Sequence, residues 1–136
     1  GGRLACLAAQ NAGGEGSLCF VMEDRVAFLA DSRGAVFAEA ELGQVGTKVD
    51  MVEALQDSWA FLCHVDDQFG HAGSATVVVK LCRLQTLEAL TALEIGSVQV
   101  THMLPFWSSR GRSGALAAGP GGLLLACQAP PVLLSV

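Results

Sequence analysis

Charge is scarce in this chain. Only 15% of its 136 residues are Asp, Glu, Lys or Arg, against roughly 25% in an ordinary soluble domain. The eight Lys and Arg form no basic stripe and the net charge is −5. A nucleic-acid groove or an anionic membrane surface is therefore a disfavoured partner. Tyr is absent. No run approaches the roughly 18 consecutive apolar residues of a membrane span. Leu4–Ala9 is too short for a signal peptide and lacks the cationic start and cleavage pattern. The five cysteines, Cys6, Cys19, Cys63, Cys82 and Cys127, are odd in number and irregularly spaced, which argues against a secreted disulfide framework. Each lies in an apolar run, where a free Cys acts as a small buried hydrophobe. The expectation is a reducing, intracellular setting, the cytoplasm.

What the chain has in quantity is apolar side chains, 51% of the total, with a mean hydropathy of +0.47. That is enough to bury a core, and the surplus implies a neighbour that covers apolar surface. The apolar residues come in short runs cut by Gly, Asp, Ser or Pro, the pattern of strands. Strands are expected at Leu4–Ala9, Leu18–Met22, Val26–Ala30, Ala35–Leu42, Trp59–Val65, Ala75–Leu84, Val98–Phe106, Ala115–Ala118 and Leu123–Gln128. Asp31-Ser32-Arg33-Gly34 has strong turn chemistry. Val36, Ala38 and Ala40 alternate with Glu39 and Glu41, as in a half-buried hairpin strand. Two segments are ambiguous. Val49, Val52 and Leu55 have helical spacing, so Lys48–Gln56 reads as a helical turn or as a strand, with strand preferred. The leucines and alanines of Leu87–Ile95 favour helix, and that segment stays open. Pro130-Pro131 demotes the last residues of the chain to an edge or terminal strand.

The phrase Asp24-Arg-Val-Ala-Phe-Leu29 returns as Asp57-Ser-Trp-Ala-Phe-Leu62, and Ala115-Leu-Ala-Ala-Gly-Pro-Gly-Gly122 aligns with Ala27–Gly34. Internal echoes at a few tens of residues mark repeat architectures. Thr76–Ile95 resembles the two outer strands of a blade in WD-repeat-like β-propellers. Val98–Phe106 resembles the inner strand of the next blade, and Ala115–Cys127 its second and third strands; Val26–Phe37 has the same shape. There is no Trp-Asp dipeptide and no Gly-His pair in the repeat position. The resemblance implies an all-β fold of antiparallel strands in propeller-like blades. At roughly 40–50 residues per blade the chain makes about three units, an incomplete propeller. Residues 1–136 then form a single β-rich domain or a fragment of a larger propeller, completed by other segments or another chain.

Candidate chemistry is thin. Cys63-His-Val-Asp-Asp-Gln-Phe-Gly-His71 is the densest group of potential ligands. His64, Asp66 and His71 could hold Zn²⁺ or a similar ion if the loop folds back, although their spacing matches no metal motif; the plainer reading is a strand end and a solvated Asp-rich turn. Cys63 and His64 fail as a nucleophile pair, because adjacent strand residues point to opposite faces. His102 lies in an apolar strand, where a core or rim role outweighs a catalytic one. Gly119-Pro-Gly-Gly122 lacks the helix and Lys of a phosphate loop and reads as a hairpin turn. Glu39 and Glu41 share a strand face, which is either an acid/base pair or a solvated edge. Ser108–Ser113 is the one basic cluster, a docking or phosphorylation loop or simply exposed chain.

With no catalytic constellation, the expected function is protein–protein interaction or scaffolding, without a cofactor. Its contact residues would be Asp66, Asp67, Phe69 and His71 in the loop Asp66–Ser74, and Phe106, Trp107, Arg110 and Arg112 in the loop Phe106–Ser113. Partners would be other protein subunits, with assembly through exposed strand edges. The alternative is a small β-rich enzyme or a metal- or ligand-binding domain built on His64, Asp66 and His71.

Overall fold

Turn residues cut the chain into strands at nearly every expected point. A computed structural model describes residues 2–11, 16–66, 76–96, 99–107, 113–120, 124–128 and 134–135. Those residues form twelve strands and no helix: β1 Leu4–Gln10, β2 Ser17–Met22, β3 Val26–Asp31, β4 Val36–Glu41, β5 Thr47–Ala54, β6 Ser58–Val65, β7 Thr76–Arg83, β8 Ala89–Gly96, β9 His102–Trp107, β10 Ser113–Ala118, β11 Leu124–Gln128 and β12 Leu134–Ser135. They pair antiparallel in three four-stranded sheets in chain order: β1-β2-β3-β4, β5-β6-β7-β8 and β9-β10-β11-β12. The first strands of the sheets are neighbours, β1 beside β5 and β5 beside β9.

Local chemistry explains the turns. Between β3 and β4 the Asp31 carboxylate accepts from the backbone N–H of Arg33 at 2.9 Å and of Ala35 at 3.0 Å. Gly34 there sits at φ 82°, a conformation that L side chains disfavour. Between β7 and β8 the Thr86 hydroxyl accepts from the Glu88 N–H at 3.2 Å. Pro105 falls on β9, an edge strand, where its missing N–H is tolerated.

Both ambiguous segments are strands. In β5 a bulge between Val49 and Met51 inserts Asp50. The extra residue resets the two-residue alternation, so Val49 and Val52 both enter the core shared with the first sheet. The apparent helical spacing is thus a bulged strand. Ala89–Gly96 pairs along β7, and this pairing overrides the helix preference of its Leu and Ala residues.

The second sheet is the middle layer. Along β6, Trp59, Phe61 and Cys63 pack toward the first sheet with Cys19, Val21, Ala27 and Leu29. Ala60 and Leu62 point the other way, with Val77, Val79 and Leu81, onto Met103, Ala115 and Ala117 of the third sheet. Trp59, Phe61 and Leu62 are fully buried. Each aromatic or Leu side chain so buried contributes about 1.5–3 kcal/mol. Two hydrogen bonds from long side chains to backbone fix the packing: Trp59 Nε1–H donates to the Leu84 carbonyl at 3.0 Å, and the Lys80 ammonium donates to the Leu42 carbonyl at 2.7 Å.

The doubled phrase does not mark equivalent positions. Val26–Leu29 belongs to β3, the third strand of its sheet, whereas Trp59–Leu62 belongs to β6, the second strand of its own. Val26–Phe37 accordingly spans the third and fourth strands of a sheet, and the first sheet begins with Leu4–Gln10.

Candidate functional site

The expected contact loops fall largely outside the described residues. Asp67, Phe69 and His71 lie there, as do Arg110 and Arg112. Phe106 and Trp107 are placed by their backbone at the end of β9, opposite Gly114 and Ser113, and their side chains lie outside the described part. Asp66 is exposed directly after β6, its N–H donating to the Gly46 carbonyl at 3.3 Å. Residues 66 and 107 thus both stand at strand ends.

His64 is the described member of the ligand cluster with a defined side-chain partner, and that partner is Asp50. The bulge in β5 brings the Asp50 carboxylate to His64 Nε2 at 2.5 Å and to the Lys48 ammonium at 3.6 Å. His64 and Asp50 are each about three-quarters buried, with 27% and 28% of their side-chain surface exposed. A carboxylate between an imidazole and an ammonium orients both. Sequence reasoning missed Asp50, because a bulge leaves no signature in spacing. His71 lies outside the described residues, and among those described no three His, Cys, Asp or Glu side chains converge as a metal site.

Next to this pair runs a groove of about 290 Å³ between the first strands β1, β5 and β9, lined by Cys6, Asp50, Glu53, Thr101 and His102 among others. Burial pushes the Glu53 carboxyl above its usual range, partly offset by a hydrogen bond with the Ala54 backbone. The Thr101 hydroxyl and His102 Nδ1 lie 3.0 Å apart. His102 is exposed at this strand edge. The groove is acidic and has an imidazole at its wall, but its thiol is a poor nucleophile: burial, reinforced by Asp50, pushes Cys6 up to about 11. A thiol must ionise to attack. Cys63, the neighbour of His64, faces the opposite side into the core and is pushed by burial up to about 12.

The remaining sequence candidates separate. Glu41 meets Arg25 at 3.4 Å on an exposed edge, and Glu39 lies across from Phe28. Neither arrangement pairs the two carboxylates. Lys80, in the interior of β7, is tied to the Leu42 carbonyl and serves the packing of the sheets. No protein-family model matches the sequence, and no curated protein matches it. No helix among the described residues is long and apolar enough to cross a membrane.

Proposed function

We propose that this chain is a β-propeller-like interaction module, whose three sheets serve as blades presenting connecting loops to other proteins. One observation carries the reading: the second sheet is buried on both faces by its sequence neighbours, while its first strand lies between the first strands of the other two. Successive antiparallel meanders stacked face to face are the building plan of a propeller. The groove between the first strands would then lie toward the axis, and the loops Asp66–Ser74 and Phe106–Ser113 would form the contact surface. Burial-suppressed thiols and a His64 already engaged by Asp50 favour binding over chemistry.

Replacement of both loops by Gly-Ser segments of equal length, followed by pull-down from cell extract, tests the assignment. Loss of a specific set of proteins, with an unchanged circular-dichroism spectrum, is expected. Recovery of the same set would reject these loops as the contact surface.

A further inference from the structure

A groove of about 300 Å³ lies between the outer parts of the first two sheets. That is the lower end of the roughly 300–1,000 Å³ range of ligand pockets. Ala40 of β4 and the following Leu42 line one side, and Ala89, Leu90 and Ala92 of β8 the other. The first strands β1 and β5 are neighbours, whereas β4 and β8 are the far edges of their sheets. Three of the lining residues on these edges are alanines, whose single methyl groups leave the space between the sheets unfilled. Leu42, Cys82 and Leu87, which also line the groove, are buried.

One charge is left over here. Lys80 lines the groove, and its ammonium donates to the Leu42 carbonyl at 2.7 Å. An ammonium has three donors, and among the described residues no carboxylate pairs with this one. Glu41, the other charged lining residue, already meets Arg25 at 3.4 Å. Burial pushes the Cys82 thiol up to about 11 against the pull of Lys80, so it brings no negative charge near neutral pH. The groove thus joins apolar walls to one unmatched cation. A carboxylate makes a charge-assisted hydrogen bond with an ammonium, and an attached hydrocarbon chain gains by leaving water. A second carboxylate would find no further cation here and would approach Glu41.

We propose that this groove binds a free aliphatic monocarboxylate, its carboxylate on the Lys80 ammonium and its chain along the alanines of β4 and β8. The site needs only the first two sheets. It uses none of the loops assigned to partner proteins, so it stands or falls separately from the interaction reading.

Titration of the isotopically labelled 136-residue chain with butanoate, hexanoate and octanoate, followed by amide nuclear magnetic resonance, tests this. Saturating shifts are expected at residues 40–42 and 89–92. Affinity should rise by up to about fourfold for each methylene buried. Octanol, a chain of equal length without the charge, is expected to bind about tenfold or more weakly. Lys80→Met should abolish the preference for octanoate over octanol. Ala92→Leu fills the groove from an exposed position and keeps Lys80, so it should weaken both ligands and decides the site even where Lys80→Met fails to fold. Absence of saturation by octanoate, octanol binding as tightly as octanoate, or shifts gathered elsewhere would each overturn the proposal. Tighter binding of acetyl-leucine than of octanoate overturns the free-acid assignment in favour of a peptide chain end.

Discussion

The Lys80 ammonium of β7 donates to the carbonyl of Leu42, 2.7 Å away at the end of the first sheet. It crosses from one sheet to the next inside an otherwise apolar contact, and Leu42 is only 3% exposed. Lys80→Met keeps the stem and deletes the donor, leaving a buried carbonyl without this partner. The expected cost is about 1–3 kcal/mol, read as a lower urea midpoint with an unchanged slope. A midpoint equal to that of the parent would show that this bond does not hold the two sheets together.

Trp59 combines a fully buried ring with one directed bond, Nε1–H to the Leu84 carbonyl at 3.0 Å. Trp59→Phe removes the donor and leaves space beside Phe61. A loss of about 1–3 kcal/mol is expected from the two effects together. Trp59→Ala, which opens a larger cavity, is expected to cost about 3–5 kcal/mol. Fluorescence-monitored unfolding is unsuitable for these variants, because they remove a reporter; far-ultraviolet circular dichroism is the measurement. Equal midpoints for the two variants would show that the cavity is not the dominant cost.

The all-β class and most strand positions were legible because turn chemistry is local. Asp31 makes its turn with residues at most four positions away, so the residues that cause it stand together in the sequence. The strand Ala89–Gly96 was undecided, because only its partner β7, a separate segment, forces Leu and Ala into extended backbone. The Val49–Val52 spacing admits a helical turn beside the preferred strand for a different reason: a bulge adds one residue and imitates a helical interval. The same inserted Asp50 engages His64, so the Asp50–His64 pair could not be read from either residue alone. The doubled A-F-L phrase fitted two central strands although their burial differs: β3 alternates between half-buried and buried positions up to Leu29, whereas Ser58–Cys63 of β6 is buried on both faces, so the phrase does not distinguish a second strand from a third.

Burial raises four thiols: Cys6 and Cys82 to about 11, Cys19 and Cys63 to about 12, from the ordinary 9.0. The folded state therefore holds these protons to higher pH than the unfolded chain does. Their contribution to stability is fully present below about pH 9 and is lost as pH rises from about 9 toward 11–12, where the unfolded chain ionises first. The urea midpoint is expected to fall between about pH 8.5 and about pH 10.5, near the ordinary thiol pKa and well above it. Cys63→Ala removes one titrating group and should make the fall shallower. An equally steep fall in that variant would mean that Cys63 ionises in the folded protein as freely as in the unfolded one.

Two glycines separate conformational demand from lack of space. Gly34 has φ 82°, and a Cβ there would meet nothing within 4 Å. Gly34→Ala therefore suffers only the left-handed backbone, about 1 kcal/mol. Gly119 follows β10, and a Cβ on it would overlap the Gln99 carbonyl oxygen. That oxygen belongs to backbone held close by the bond from the Thr101 N–H to the Ala118 carbonyl at 2.9 Å, so neither side can step aside cheaply. Gly119→Ala must push the approach to β9 away from β10, at a cost of about 1–3 kcal/mol for overpacking. Since β9 supplies Met103 to the core between the second and third sheets, the damage should spread beyond the turn. Thermal unfolding of both variants checks the ranking, with Gly119→Ala the lower. The reverse order would mean that residues 99 and 119 do not approach as closely as this packing requires.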